Sequence, residues 1–373
     1  MKPRLLISIT AITVLAALAI PLRFAAQDNR DGKQAKFVTF DAPGAGTGHR
    51  EGTFGISINP SGAIVGAYLD TNDTYHGFAR TRGGAFTTFD APGAGTGPFQ
   101  GTMPYSNNPS DVITGFYLDS NNVPHGFVRA RDGAITTFDA PGAGTGAGQG
   151  TQAVSINPAG AITGAYADAN DVVHGFLRVG DGGITTFDVP GAGTVTGMFQ
   201  GTGGNSINPG GSIAGNYFDA DNVSHGFVRA RDGTITTFDA LGAGTGPGQG
   251  TIPRDNNPVG VIVGGYLDAN NAYHGFVRSP EGKITTFDAP GAGTGAGQGT
   301  DAVSINPAGV ITGFYLDASS VDHGFVRFRD GAIATFDGPD AILTVGYSIN
   351  AGGAVTGHYR DAKTISHGFV LVP

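Results

Sequence analysis

The chain has 373 residues, of which 65 are glycine, 14% are charged and none is cysteine or tryptophan. Its formal net charge of −9 argues against a nucleic-acid partner, because phosphate binding needs clustered lysine and arginine side chains. Without cysteine the chain forms no disulfide, so packing and hydrogen bonds alone must stabilise its core. Cations, neutral glycans and proteins stay open as partners.

The first residues have the pattern of an export signal. Lys2 and Arg4 precede an apolar run over 5–22, and a polar stretch follows. This order is typical of a secretory signal peptide. We therefore predict a signal peptide over 1–26, with an uncleaved N-terminal anchor as the alternative, and a polar linker over 27–36. The mature chain is then secreted, extracellular or periplasmic, has no membrane span, and is expected to be a monomer.

The rest of the chain repeats one unit of about 49 residues, a period typical of propeller blades and other repeat arrays. Three landmarks mark each copy: Ser-Ile-Asn or a close relative, His-Gly-Phe, and Phe-Asp. Each landmark occurs seven times. The histidines of the second landmark are His76, His125, His174, His225, His274, His323 and His367.

One representative copy, residues 151–189, predicts a meander of short strands with no helical period. Proline, glycine, aspartate and asparagine separate the apolar runs, as expected of turns. The pair Asp181-Gly182 predicts a type I′ hairpin turn. The strands are predicted at 153–157, 161–167, 172–179 and 183–188.

The two ends of the repeat region complement each other. The first landmark is Phe40-Asp41, a fourth strand without its preceding three, and the last copy ends on a third strand at 367–372. We predict that 37–41 pairs with this strand, which leaves that blade no free edge. The predicted fold is therefore all-β: a seven-bladed β-propeller over 37–373, built of four-stranded blades and closed by the N-terminal strand.

These landmarks carry a resemblance to a known family. Ser-Ile-Asn, Gly-x-Tyr-x-Asp, His-Gly-Phe and Thr-Thr-Phe-Asp together resemble the bacterial extracellular HAF repeat family, over about residues 37–373. The chain has glycine where the family's short motif has alanine, as in His174-Gly175-Phe176. The resemblance implies secretion and a repeat architecture. It carries no defined reaction and transfers no catalytic residue.

Carboxylates are predicted to gather at one end of the blades, here called the top face, where the loops after the second and fourth strands lie. Oxygen-bearing side chains follow two residues apart in turns such as 168–171, which suits a hard cation such as Ca²⁺. The alternative is that these side chains bond N–H groups of their own turns, and the EF-hand pattern is not met. Calcium is the one candidate cofactor. Its candidate ligands are Asp70, Asp119, Asp168, Asp219, Asp268 and Asp317.

Departures from the repeat predict a second candidate site at the mouth of the central channel, which the first strands line. The candidate ligand-binding residues are Tyr105, Asn205, Arg254, Asp255, Asp301 and Tyr347. Arg254 would anchor an anionic ligand such as a uronic acid. Alternatively, it pairs with Asp255 or Asp301 and only fills the channel. His358 also has no counterpart in the other copies.

A histidine repeated in every copy favours a repeated structural hydrogen bond, to a neighbouring Asp or Ser, over a single catalytic or zinc site. The glycine-rich GAGTG crossovers lead into strands and contain no lysine, so they do not predict phosphate binding. No catalytic set is recognisable. The predicted function is a non-catalytic binding module for polysaccharide or a surface protein through the top-face loops. The alternatives are a lyase or hydrolase at the channel mouth and a structural envelope protein.

Overall fold

The computed structural model describes residues 35–373, and within this range it contains 28 strands and no helix. The predicted signal peptide over 1–26 and nearly all of the predicted linker over 27–36 lie outside the described residues. The end of that linker is already sheet, because the first strand begins at Lys36.

The strands form seven four-stranded antiparallel units, numbered here 1 to 7 in chain order. Units 1 to 6 are continuous in sequence, whereas unit 7 takes its fourth strand from the start of the chain. The strands are β1 (Lys36–Phe40); unit 1, β2 (Gly52–Ile58), β3 (Ile64–Leu69), β4 (Tyr75–Arg80), β5 (Phe86–Phe89); unit 2, β6 (Gly101–Asn107), β7 (Ile113–Leu118), β8 (Pro124–Arg129), β9 (Ile135–Phe138); unit 3, β10 (Gly150–Ile156), β11 (Ile162–Ala167), β12 (Val173–Arg178), β13 (Ile184–Phe187); unit 4, β14 (Gly201–Ile207), β15 (Ile213–Phe218), β16 (Ser224–Arg229), β17 (Ile235–Phe238); unit 5, β18 (Gly250–Asn256), β19 (Ile262–Leu267), β20 (Tyr273–Arg278), β21 (Ile284–Phe287); unit 6, β22 (Gly299–Ile305), β23 (Ile311–Leu316), β24 (Asp322–Arg327), β25 (Ile333–Phe336); and unit 7, β26 (Leu343–Ile349), β27 (Val355–Arg360), β28 (Ser366–Val372).

The strand order predicted for unit 3 is confirmed, with the first strand starting earlier, at Gly150. The predicted type I′ turn before the fourth strand is wrong. Positive φ occurs at Gly182 (93°) but not at Asp181, whereas a type I′ turn needs it at both central residues. The turn residues Gly180 and Asp181 both lack a positive φ, and Gly182, which follows them, adopts the left-handed conformation.

The pairing of the chain ends is confirmed. Strand β1 lies antiparallel to β28, with Phe37 opposite Leu371 and Phe40 opposite Gly368. The first strand of unit 1 also contacts the first strand of unit 7, as consecutive units do elsewhere. The first strands of consecutive units therefore lie side by side, and the space that they line is called the channel below.

The core lies between neighbouring units and is built from the landmarks. The phenylalanine of each His-Gly-Phe is fully buried, as at Phe176 and Phe227. The Phe-Asp phenylalanine packs edge-on against it from the preceding unit, as Phe187 does against Phe227 at 6.0 Å between ring centroids. The glycine of His-Gly-Phe is required by the same packing, since a Cβ on Gly175 would lie 2.6 Å from the ring of Phe187.

Buried asparagines connect the units at the end of the first strands. The Ser-Ile-Asn asparagine donates from Nδ2 to the backbone oxygen of its counterpart in the next unit, as Asn208 does to Asn257 at 3.2 Å. Its Oδ1 accepts an N–H of its own turn, here from Ser212 at 3.0 Å. Six of the seven junctions have this inter-unit bond, including the one from Asn350 back to Asn59. The landmark therefore satisfies buried backbone groups as well as forming a turn.

Among residues 35–373 no helix is long and apolar enough to cross a membrane.

Candidate functional site

Each unit carries the same histidine cluster at the top face. The histidine Nδ1 lies 2.9–3.0 Å from the Phe-Asp carboxylate. Its Nε2 lies 3.3–3.9 Å from the aspartate that ends the second strand. The imidazole stacks on the tyrosine of the second strand, with centroids 4.9–5.1 Å apart. The prediction of a repeated structural histidine bond is confirmed.

The electrostatics of this cluster stabilise charged aspartates. Burial by itself would raise the pKa of Asp168, but N–H groups of Val172 and Asn170 donate to its Oδ1 and, with His174, hold the pKa below its usual range. Burial likewise would lower the pKa of His225. Hydrogen bonds to its two flanking aspartates outweigh that effect and raise it.

The aspartates predicted as calcium ligands all end second strands, and all cap the turn that follows. In Asp168, Oδ1 accepts two backbone N–H groups at 2.8 and 2.9 Å, and Oδ2 accepts the side-chain amide of Asn170 at 3.3 Å. Across the described range, no three histidine, aspartate or glutamate side chains are grouped as a metal site. These carboxylates therefore have a structural use without metal, and calcium stays a prediction.

Most of the residues predicted at the channel mouth lie at one special backbone position of the first strands, which the sequence does not reveal. In every first strand the register with the second strand slips by one residue, which is a β-bulge. Bulges re-aim a side chain. Four of the six predicted residues are bulge residues. The bulge residues of units 1 to 7 are Ile56, Tyr105, Val154, Asn205, Arg254, Val303 and Tyr347.

Arg254 forms an ion pair with Asp301 of the next unit. The Nη2 atom lies 2.8 Å from Oδ2, and Nε donates to Oδ1 at 3.4 Å. Asp301 is only 5% exposed. Its carboxylate occupies the space above Gly265, where a Cβ would lie 2.8 Å from Oδ1. The nearby Asp301 carboxylate is the main reason that the pKa of Arg254 is raised. The positive charge of Arg254 is therefore already compensated within the protein.

Asn205 and Asp255 are also engaged by neighbouring units. The amide of Asn205 donates to the backbone oxygen of Pro253 at 2.7 Å. Asp255 does not contact Arg254 through its carboxylate. It accepts the hydroxyl of Ser304 at 3.0 Å and the N–H of Ile305 at 2.9 Å, and burial raises its pKa. Both residues therefore form hydrogen bonds between the first strands of neighbouring units.

Of the two predicted tyrosines, Tyr105 lies near enough to Tyr347 to affect the pKa of Tyr347. Burial, and then nearby Tyr105, raise the pKa of Tyr347. Burial raises the pKa of Tyr105 to about 12. Tyr105 stacks on Phe116 at 5.3 Å and Tyr347 on His358 at 5.5 Å, while 36% of Tyr105 stays open to water.

Two residues near Tyr347 were missed by the sequence reasoning. Arg360 ends the second strand of unit 7, and Asp322 begins the third strand of unit 6. Both lie close enough to Tyr347 to affect its pKa. The signal that could have found them is the repeat itself. The other units have Leu69, Leu118, Ala167, Phe218, Leu267 and Leu316 where unit 7 has Arg360.

The crossover loops contain a further irregularity at the top face. Six crossover loops end in Gln-Gly or Glu-Gly, and the residue just before this pair has a positive φ. Three of the loops have glycine there: Gly148, Gly248 and Gly297. The other three place Arg50 (67°), Phe99 (62°) and Phe199 (52°) in this strained conformation. Phe99 is 58% exposed.

The glutamines of these loops serve the fold. Gln100 accepts the N–H of Gly97 at 2.9 Å and donates to the backbone oxygen of Ser120 at 3.1 Å. This connects the crossover to the second-to-third-strand turn of the unit that it leads into. The glycine-rich loops are thus anchored at both ends, and the glutamine amides are used within the protein.

Comparison with family models finds no match, and comparison with curated proteins finds none either. Among solved structures the chain is similar to a prolyl endopeptidase, with 9% identity and a TM-score of 0.56 over 86% of this chain and 50% of that one. A puromycin hydrolase S511A mutant complexed with PGG has 11% identity and a TM-score of 0.51, over 84% of this chain and 50% of that one. The β-propeller domain of Cps50 (Swd1) from Myceliophteria thermophila has 9% identity and a TM-score of 0.49, over 91% of this chain and 100% of that one.

The chain therefore matches about half the length of the first two proteins. Identities this low show the fold alone. Within residues 35–373, the four-stranded antiparallel units, with no helix between them, form an all-β repeat fold of the β-propeller class, in agreement with the first two of these structures. The activities of the peptidase and the hydrolase belong to those proteins.

Proposed function

We propose that the seven units are the blades of one closed seven-bladed propeller. The pairing of β1 with β28 and the hydrogen bond from Asn350 to Asn59 support closure, because they join the two ends of the repeat region. A closed ring leaves no blade edge unpaired at the seam. It also gives the protein one top face on which all crossover loops meet.

We propose further that the protein is a secreted, non-catalytic binding module that recognises polysaccharide through this top face. The observation that carries the proposal is the set of bulky residues held in a left-handed conformation, above all Phe99. Such a conformation costs a non-glycine residue about 1 kcal/mol or more, and strain of this kind concentrates at ligand-binding sites. Three equivalent loops avoid it with glycine.

The fourth-unit loop adds to this surface. Met198 is 49% exposed, and the Phe199 ring lies over the neighbouring loop at Gly148. Together with Phe99 these side chains form the apolar rim, as we call it below. Apolar faces at a loop rim suit the C–H faces of a sugar chain, and repeated loops around one axis suit a repetitive ligand because linked weak sites gain avidity.

The test is a glycan and polysaccharide binding screen on residues 27–373, with Ca²⁺ and again with EDTA. Phe99→Gly and Phe199→Gly restore the residue of the other loops and should weaken binding at least about fivefold with no loss of stability. Binding lost in EDTA would support the calcium prediction. If no glycan binds but a protein is captured saturably, a surface-protein partner is favoured. If a substrate is turned over, an enzyme is favoured. If neither binding nor turnover is found, a structural envelope protein is favoured.

A further inference from the structure

The inner side of unit 7 departs from the repeat at adjacent positions. Tyr347 is its bulge residue, His358 faces Val345 across the strand pair, and Arg360 ends the second strand. Asp322, from unit 6, begins the strand that lies beside unit 7. At the position of His358 the other units have Ala67, Phe116, Ala165, Asn216, Gly265 and Phe314.

His358 is buried without a partner for one nitrogen. It is 6% exposed, and its Nδ1 has no hydrogen-bond partner within the described chain. Tyr347 stacks on one side at 5.5 Å, and Phe54 meets the ring edge-on at 5.0 Å. Burial lowers the pKa of His358 to about 3, so the imidazole is neutral. An unpaired buried ring nitrogen is costly unless a ligand or water completes it.

Two cations lie near this histidine. Arg360 follows it by two residues on the same strand and so shares its face of the sheet, and the N–H of Arg50 donates to the oxygen of Thr364, in the turn after that strand, at 3.0 Å. Arg50 lies close enough to lower the pKa of Arg360, after the larger effect of burial. Neither guanidinium has a carboxylate within ion-pair distance among residues 35–373, in contrast to Arg254 with Asp301. Arg50 is also one of the residues held at positive φ, at 67°. Adjacent uncompensated cations are favourable mainly when an anion joins them.

Asp322 supplies the acidic side of the cluster. Its carboxylate forms no ion pair and no side-chain hydrogen bond within the described range. Burial raises its pKa to about 6, with Arg360 and His323 opposing the effect. The ionised carboxylate accepts a hydrogen bond and the protonated acid can also donate one, and both forms suit a hydroxyl.

The crossover loop that would cover this position is short. Before unit 7 it runs only over 338–342, whereas before unit 2 it runs over 91–100. Ile342 donates its N–H to the oxygen of Arg360 at 2.8 Å, as Gly95 does to Leu118, and then the strand begins at once. The segment that elsewhere continues over the turn, with its glutamine, is missing here.

We propose that Arg50, Asp322, Tyr347, His358 and Arg360 form a binding site for a uronic-acid unit of an oligosaccharide. The two guanidinium groups bind the sugar carboxylate, Asp322 and His358 bond hydroxyl groups, and the Tyr347 ring supports the sugar face. The site rests on the proposed function in that its ligand is a polysaccharide. It lies away from the apolar rim, so the two can fail separately.

The test is calorimetric titration of residues 27–373 with tetragalacturonate and with a hyaluronan tetrasaccharide, against cellotetraose as the neutral probe. At least one acidic probe should bind about tenfold or more tightly than the neutral one. Arg360→Leu restores the leucine of four other units and should abolish that preference. His358→Ala restores the alanine of units 1 and 3 and should weaken acidic-probe binding severalfold, while its circular dichroism spectrum shows that the variant stays folded.

Arg131→Leu is the matched control, because it removes the same charge from an exposed hairpin of unit 2, where Arg131 side-chain exposure is 80%. It should leave acidic-probe binding unchanged. The proposal is overturned if neither acidic probe is preferred, if Arg360→Leu keeps the preference, or if Arg131→Leu loses as much. If Phe99→Gly abolishes polysaccharide binding and Arg360→Leu leaves it unchanged, the proposed function is supported and this site is rejected.

Discussion

The repeated histidine clusters and the inner side of unit 7 use the same residue types in opposite ways. In each cluster the imidazole lies between two carboxylates and on a tyrosine, so its polar atoms are used within the unit. In unit 7 the imidazole of His358 and the guanidinium of Arg360 are left without such partners. In a repeat protein, a polar residue that recurs is usually part of the scaffold, whereas one that breaks the repeat needs its own explanation.

The ion pair of Arg254 and Asp301 shows that a departure from the repeat can also join two units. Arg254→Val should lower the free energy of unfolding by about 3 kcal/mol, because it leaves a buried carboxylate unpaired. The double variant Arg254→Val/Asp301→Val introduces residues that other units use at these positions and should recover most of that loss. Urea denaturation measures both. If the double variant is as unstable as the single one, the buried charge is not the cause.

The asparagine bonds test the scaffold side of the comparison. Asn208→Ala should cost about 2 kcal/mol, because the buried oxygen of Asn257 and the N–H of Ser212 lose their partner. Asn270→Ala, at an exposed turn whose amide bonds only Asp268, should cost under about 0.5 kcal/mol. Denaturation midpoints compare the two. Equal losses would show that the inter-unit bond contributes little.

Acid should unfold the protein through the histidine clusters. The native pKa of Asp168 is lowered, so its stabilising contribution is present above the unfolded value near 4 and is lost as the pH falls through the native value. The same direction holds for Asp70, Asp119, Asp219, Asp268 and Asp361. Stability measured by urea at pH 6 and pH 3 should fall steeply, and Asp168→Asn should reduce the slope. A flat profile would contradict this role.

The smallest expected effect concerns the strained loop residues. Phe99→Gly should raise the free energy of unfolding by up to about 1 kcal/mol, because glycine adopts the left-handed conformation without strain. Gly148→Ala, at a φ of 82°, should lower it by about the same amount. Differential scanning calorimetry detects both. Destabilisation by Phe99→Gly would mean that the ring contributes packing rather than strain.

The sequence predicted most of the fold because repetition averages out local ambiguity. Seven copies place the same glycines, aspartates and apolar runs at the same offsets, so strand limits within a few residues and the completion of unit 7 by β1 followed from the pattern. The turn before β13 was missed because its type depends on the φ of Asp181, which an Asp-Gly pair does not determine.

The candidate site was predictable only in part. Tyr105, Arg254 and Tyr347 stand out in the sequence as irregular residues, and the structure adds that each is a bulge residue. Asp322 and Arg360 were overlooked because they belong to different units and approach each other only when those units pack side by side. A position-by-position comparison of the copies could have flagged both, but could not have brought them together.

By itself, the sequence determined the period, the strand order, the roles of turn residues and the scaffold character of the histidine, since all of these depend on residues near one another in the chain. Only the tertiary structure decided which charges are compensated. Arg254 finds Asp301 across a unit boundary, whereas Arg360 meets Arg50 from the other end of the chain. Charge compensation depends on distances of a few ångströms between residues far apart in sequence, and those distances exist only once the units have packed.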